Sequence, residues 1–327
     1  MARPAQHLHS TGPEEGPGSE CGQLAVAVVI CAYTLKRWEL TRLAVASVLS
    51  QRPAPAQLLV VIDNNAELAA VARRELPGVT VLESSAAPGL SGARSTGLLA
   101  SAQPITVFLD DDAEARAGWL ASLIEPYREQ GVIATGGRVI PRWWSATRPS
   151  WLAPEFDWVV GCSYLGLPES AGVVRNPIGA NMSVRTQAAL DAGGFEGTIG
   201  RVGTRPRGCE ETELAIRLTA GVRGSKVMYV PTAAVDHYVP KERTRMGYFL
   251  SRCWHEGQSK AAVVRLVGAS SGLKSERHHA AVAIPASLLR DLRSLLTGDL
   301  AGAKRMAASV CGLCVSAGGY IVGRLRY

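Results

Sequence analysis

The chain has 327 residues, 47% hydrophobic and 19% charged, an ordinary globular composition large enough for one large or two modest domains with a sizeable core. Its net charge of +7 is uneven: from residue 241 onward 14 Lys and Arg face 5 Asp and Glu, whereas the first 240 residues hold 21 against 23. A near-neutral body with a basic tail disfavours general nucleic-acid binding and favours an anionic surface or ligand met by the tail.

Residues 1–22, rich in Gly, Pro, Ser and Glu, read as a disordered segment; with no basic n-region before an apolar h-region they exclude a signal peptide. Residues 24–31 (LAVAVVIC) predict a first strand and residues 38–51 a helix, broken by Pro53 and Pro55. Residues 58–62 (LLVVI) predict a second strand ending in Asp63-Asn64-Asn65, followed by a helix over 68–76 and a short strand over 79–82. A Gly-rich loop over 88–97 leads into a helix ending near Ala102, and residues 105–109 (ITVFL) form the next strand. Strand and helix alternating at these spacings predict a parallel, Rossmann-like sheet. Beyond it, a helix is expected over 119–129 and a strand over 132–140. A loop-rich stretch over 141–176 carries Trp143, Trp144, Trp151 and Trp158. The chain then approaches the sheet over 176–184, with a short helix over 186–192, a Gly- and Arg-rich loop over 197–208 and an acidic-start helix over 209–218. Strand segments over 226–230 and 233–238 follow, and the chain from about residue 248 is mainly helical.

The strand over 105–109 runs straight into Asp110-Asp111-Asp112. Ligands of open α/β sheets bind beyond the carboxyl ends of the strands, where these acids stand. Three adjacent carboxylates repel one another unless a cation or donors neutralise them, and hard oxygen ligands suit Mg²⁺ or Mn²⁺. The alternative is a solvated acidic turn. The seven cysteines are scattered and read as reduced thiols; Cys311 and Cys314 form the one close pair, without a second pair or a nearby His for zinc.

Together VVICAYT (28–34), VVIDNN (60–65), GLSGARSTG (89–97), FLDDD (108–112), NPIGANMSVR (176–185), GGF (193–195), EETELAIR (210–217) and the later His237 resemble the inverting, non-processive glycosyltransferases of family 2. The resemblance covers residues 24–240. It implies an α/β GT-A fold, Rossmann-like with a mostly parallel sheet and flanking helices, plus a helical C-terminal tail. Residues 23–245 would form the catalytic domain, with a donor half to residue 112 and an acceptor half beyond it, and residues 246–327 a basic helical region. It also implies a metal-dependent, hexosyltransferase-like enzyme moving a single sugar from a nucleotide sugar, a UDP-sugar by preference, to an acceptor left open among glycans, lipid-linked molecules and small molecules.

Residue by residue, the resemblance places Ala32, Tyr33, Asp63, Arg94, Asp110 and Asp111 at the nucleotide sugar. Asp63 would accept from the pyrimidine N3–H, against an Asx-turn at a strand end as the plain alternative. Arg94 would approach the base or diphosphate, while Gly89 and Gly92 could admit phosphate or serve helix packing. Where the family often has Asn, this chain has Ser95. Asp112 is the expected direct ligand of Mn²⁺ or Mg²⁺, Asp110 stands nearer the ribose or a metal-bound water, and His237 completes the metal side. Inversion needs a base beside the acceptor hydroxyl. The family's Glu-Asp pair is Glu210-Glu211 here, and Glu211 is the expected base; these acids and Glu213 would equally favour the helix dipole. Arg201, Arg205 and Arg207 could close over the diphosphate. The four tryptophans could stack on an acceptor.

Residues 306–322 form a 17-residue uncharged run flanked by Lys304, Arg305, Arg324 and Arg326. This is just under spanning length, and suits either an interfacial anchor or a helix packed on the domain. The enzyme is therefore expected in the cytoplasm at the inner face of the membrane, the tail making a peripheral anionic contact. The runner-up, a sugar-1-phosphate nucleotidyltransferase, needs a Gly-rich basic loop where Ala32-Tyr33-Thr34-Leu35 stand. A catalytically silent nucleotide-sugar-binding protein is disfavoured by the retained acids.

Overall fold

The computed structural model describes residues 24–84, 86–201 and 206–326. Apolar runs too short for a buried helix become strands covered on both faces. These are β1 (Val26–Ala32), β2 (Gln57–Ile62), β3 (Thr80–Glu83) and β4 (Ile105–Asp110). They alternate with α1 (Trp38–Leu49), α2 (Ala66–Glu75) and α3 (Leu90–Ala100), and pair in parallel in the order β3-β2-β1-β4. Alternate strand residues pack on opposite faces: Val28, Ile30, Val60 and Ile62 join the core that includes α1 and α2, while Val29, Leu59, Val61 and Phe108 face α3.

The chain beyond Asp112 adds β5 (Ala113–Ala115), α4 (Trp119–Ile124), β6 (Val132–Trp143), β7 (Gly172–Val174), β8 (Asn181–Arg185), α5 (Thr186–Asp191), α6 (Glu210–Gly221) and β9 (Lys226–Val239). The sheet continues from β4 as β8-β6-β9-β5, with β7 on β9. It is mixed rather than uniformly parallel, because β8 runs antiparallel to both β4 and β6. The two segments expected over 226–230 and 233–238 are one strand. Its pairing with β6 skips from Gly137–Val230 to Arg138–Ala234, so Pro231, Thr232 and Ala233 bulge without ending the strand. A Cβ on Gly137 would collide with the Ala233 carbonyl oxygen, which is why a glycine stands at the bulge.

After a 3₁₀ turn at Lys241–Thr244 the chain is helical: α7 (Met246–Val267), α8 (Ala269–Gly272), α9 (Lys274–His278), a π turn at His279–Ala283, α10 (Ile284–Leu296) and α11 (Ala301–Arg326). α11 lies on α7 at glycine distance. A Cβ on Gly319 would strike the Trp254 carbonyl, one on Gly257 the Ser316 carbonyl, and one on Gly312 would meet the Phe249 ring at 2.7 Å. The residues expected to be just under spanning length belong to a helix of 26 residues, long and apolar enough to cross a membrane; 28% of its most apolar window is covered by the protein. One face packs and the other is bare.

Candidate active site

β1, β2 and β4 end side by side at Ala32, Ile62 and Asp110, which delivers Asp63 and the three acids to one edge of the sheet. The three-residue strand β5, pairing antiparallel with β9, sets Ala113 opposite His237. The imidazole Nε2 therefore stands 3.1 Å from Asp112 Oδ1, and Asp112 and His237 are both buried. Asp110, Asp112 and His237 each offer one ligand atom, and the three lie within 4.8 Å of one another. Two carboxylate oxygens and one imidazole nitrogen are a donor set that Mn²⁺ accepts readily. Asp112 Oδ2 is buried without a hydrogen bond, its neighbours being the guanidinium groups of Arg37 at 3.0 Å and Arg243 at 3.7 Å. The residues fit a divalent cation.

Two arginines not singled out from the sequence complete this corner. Arg37 Nη1 lies 2.8 Å from Asp111 Oδ1 and 3.0 Å from Asp112 Oδ2, and Arg243 reaches to 3.7 Å from Asp112. Burial by itself would raise the Asp112 carboxyl, but His237 and Arg37 outweigh it and hold the group well below the usual carboxylate range. Asp111 goes the other way: burial, helped by the charge of Asp112 and opposed by Arg37, pushes it up to about 7. On the far side of His237, Nδ1 is 3.6 Å from the buried Cys162 Sγ. Arg37 follows no periodic or spacing signal, and Cys162 meets His237 only through folding.

Arg94 lies behind the acids instead of projecting freely toward a base. It is buried, with Nη1 2.8 Å from Glu210 Oε1 and Nη2 3.1 Å from Asp110 Oδ1; Nη2 also donates to the Gly179 carbonyl at 2.8 Å. Gly179 permits this approach, since a Cβ there would stand 2.9 Å from Nη2. Asp63 accepts from the Gly89 N–H at 3.0 Å and from Asn64 at 2.8 Å, while the cap of α2 is supplied by Asn65, which accepts from the Leu68 N–H at 3.0 Å. The strand-end Asx role therefore falls to Asn65. Asp63, Ala32, Tyr33, Asp110, Asp111 and Asp112 together line a small cavity of 80 Å³. Ala32 is buried there; Tyr33 is exposed, its ring 5.5 Å from the Arg37 guanidinium carbon.

Glu210 and Glu211 open α6 and diverge, as adjacent helix residues must. Glu210 takes Arg94, and its Oε2 is buried without a hydrogen bond. Glu211 accepts from the Thr212 hydroxyl at 3.3 Å. Burial and then the charge of Glu210 push its carboxyl up to about 7. Glu213 is spent on Arg217 at 2.5 Å, a pairing within the helix. Asp110, Glu210, Glu211 and His237 all line one cleft of 1410 Å³, with Arg201 and Arg207 at its wall. Arg205 lies outside the described residues. Of the four tryptophans, Trp158 lines the cleft. Trp143 and Trp151 pack with the Phe156–Phe249 cluster, and Trp144 is exposed beneath Lys241.

Residues 27–189 match the family model described as glycosyl transferase family 2. Over 241 residues, 72% of this chain and 76% of the relative, the sequence is 31% identical to a glucosyl-dolichyl phosphate glucuronosyltransferase of Haloferax volcanii. It is 26% identical to a pre-mycofactocin glycosyltransferase of Mycobacterium tuberculosis over 56% of this chain and 36% of that protein. Among solved structures, the fold is similar to a mannosyltransferase of Pyrobaculum calidifontis in complex with GDP-Man and Mn²⁺ (TM-score 0.59, 15% identity, 92% of this chain and 88% of that one). It is also similar to GalNAc-T7 with UDP, GalNAc and Mn²⁺ (TM-score 0.52, 17% identity), covering 75% of this chain and 48% of that one.

Proposed function

Because the chain belongs to glycosyltransferase family 2 and is a glycosyltransferase with a GT-A-like fold, we propose that it moves one sugar, with inversion, from a nucleotide sugar to an acceptor held in the large cleft. The observation that carries this reading is the convergence of Asp110, His237, Glu210 and Glu211 on one cleft. In the proposed arrangement Asp112, Asp110 and His237 hold Mn²⁺ or Mg²⁺, which offsets diphosphate charge when bound. Asp63 and Tyr33 line the pocket for the base and ribose, and a UDP-sugar is the proposed donor. Arg37 and Arg243, already beside the acids, supply further positive charge for a departing nucleotide.

Glu211 is the proposed base. A carboxyl pushed up to about 7 accepts a proton more readily than an ordinary glutamate near neutral pH. Glu210 is occupied by Arg94 and serves better as the group that raises its neighbour. The bare apolar face of α11 and the basic tail support a peripheral contact with an anionic membrane, on its cytoplasmic face. A thermal-shift panel of UDP-, GDP- and dTDP-sugars, with Mn²⁺ and with EDTA, tests the donor side. Stabilisation by UDP-sugars that EDTA abolishes is expected; no stabilisation by any of the three classes contradicts the proposal.

A further inference from the structure

The acceptor end of the cleft has a composition of its own. A ligand pocket is typically about 300–1,000 Å³, and this cleft of 1410 Å³ leaves room well beyond a sugar ring. Its inner end holds Glu210 and Glu211. Its outer end passes between Leu165, Leu167 and Pro168 on one side and Val282, Ala283 and Ala286 on the other. The two walls nearly meet: a Cβ on Gly166 would stand 3.3 Å from the Ala283 Cβ, and the Tyr164 ring packs edge-on against His279 at 5.1 Å. Several charged residues along the cleft pair with one another. Glu276 takes Arg175 at 2.5 Å and Lys260 at 2.7 Å, and Glu256 takes Arg252 at 2.6 Å. The Leu165–Pro168 and Val282–Ala286 walls thus give this end an apolar surface, with Arg277 and His278 beside it.

The apolar lining continues onto the outside. Val282 in the π turn, Leu289, Leu292 and Leu296 along α10 and Leu300 just past it are 41–79% exposed. Inward, α10 turns Ile284 and the buried Ser287 and Asp291. Ile284 and Leu288 pack inward on the core, while Leu289, Leu292 and Leu296 face out. Basic Arg293 and Lys304 flank the stripe. Val282 belongs both to the stripe and to the cleft wall, so the two surfaces are continuous.

We propose that the acceptor is an amphiphile: a hydroxyl-bearing polar head at Glu211, and an apolar chain that leaves the cleft between Leu167 and Ala286 along the outer stripe of α10. This rests on reading the cleft as the acceptor side of the transferase. It differs from a general membrane contact in assigning a chain-binding site inside the cleft, reached from the apolar surface.

The test is calorimetry on the full chain with methyl β-glucoside and decyl β-glucoside below its micellar concentration, beside a separate titration of UDP with Mn²⁺. The decyl compound should bind at least about 100-fold tighter, since every added methylene gains burial. Ala286→Asp, a change at an exposed helix position in the exit, should abolish that preference. Leu296→Asp, on the stripe but outside the cleft, should retain it. Equal binding of the two glucosides overturns the inference, as does equal loss in both variants, which would mean adhesion to the surface. Failure of UDP and Mn²⁺ to bind overturns the donor reading independently; a chain preference surviving that failure would remove the acceptor role from the site.

Discussion

Arg94 Nη1 stands 2.8 Å from Glu210 Oε1 while its Nη2 stands 3.1 Å from Asp110 Oδ1. One buried cation thus ties the acid beside the proposed base to the acid at the proposed metal. With Glu210 paired to Arg94, Glu211 stands beside a second acid that raises its own carboxyl.

That arrangement sets a pH dependence. Glu211 is pushed up to about 7 by burial and by Glu210, and only its deprotonated form can take the acceptor proton. Turnover should therefore rise as pH passes through about 7. Glu210→Gln removes the like charge and frees Arg94, so the rising limb should move to lower pH. A kcat profile over that range checks both; a limb unmoved in Glu210→Gln would separate the two acids.

Removal of the base should be selective. General-base catalysis is typically worth about 10²–10⁴-fold, so Glu211→Gln should lower kcat by that factor and leave donor affinity unchanged. Single-turnover kinetics beside UDP titration distinguishes this from Glu211 being a nucleotide contact, in which case affinity would fall with rate.

Asp63→Ala should weaken UDP binding by about 1–3 kcal/mol, the range for hydrogen bonds to a charged group. The Gly89 N–H also loses its acceptor, so a small fall in Tm accompanies it. If UDP affinity is unchanged while Tm falls, Asp63 serves the loop and not the base.

The tail should respond to charge and to salt. Because α11 covers α7, a truncation at residue 300 would uncover Trp254 and Phe249, so the informative variant keeps the helix and replaces the exposed Lys304, Arg324 and Arg326 with Glu. Flotation with anionic vesicles should carry the wild type, weaken as salt screens the attraction, and fail for the triple variant. Equal flotation of both proteins would remove the electrostatic contribution.

The helix packing makes a separate prediction. Gly319→Val pushes branched carbon into the Trp254 carbonyl and should cost about 1–3 kcal/mol in stability, read as a lower Tm. An unchanged Tm would mean that α11 lifts from α7 without loss.

The stretch up to Asp112 was legible because its strands are buried on both faces and so are apolar without interruption, and because the acids end one of them abruptly. Residues 105–109 needed no partner to be read as a strand. His237 shows the opposite case. Its place beside Asp112 depends on β5, three residues with no measurable period, and on the register that β9 takes after the bulge at Gly137. Arg37 and Cys162 were silent in sequence because a lone arginine in a 3₁₀ turn and a lone buried thiol carry no pattern. Arg94 was visible as a residue of the Gly-rich loop, but its direction, inward to Glu210 from 116 positions earlier in the chain, is a property of the fold alone. The helical tail was legible as helix, whereas the close approach of α11 to α7 became clear only once its glycines had partners.

The account rests most directly on the cation held by Asp110, Asp112 and His237. Calorimetric titration of UDP with and without Mn²⁺ into the wild type and Asp112→Asn measures it, with circular dichroism to establish that the variant is folded. The wild type should bind UDP tightly only with Mn²⁺, and Asp112→Asn should lose nearly all of that Mn²⁺-dependent affinity while keeping its fold. Equally tight, Mn²⁺-dependent binding by a folded Asp112→Asn would contradict the assignment.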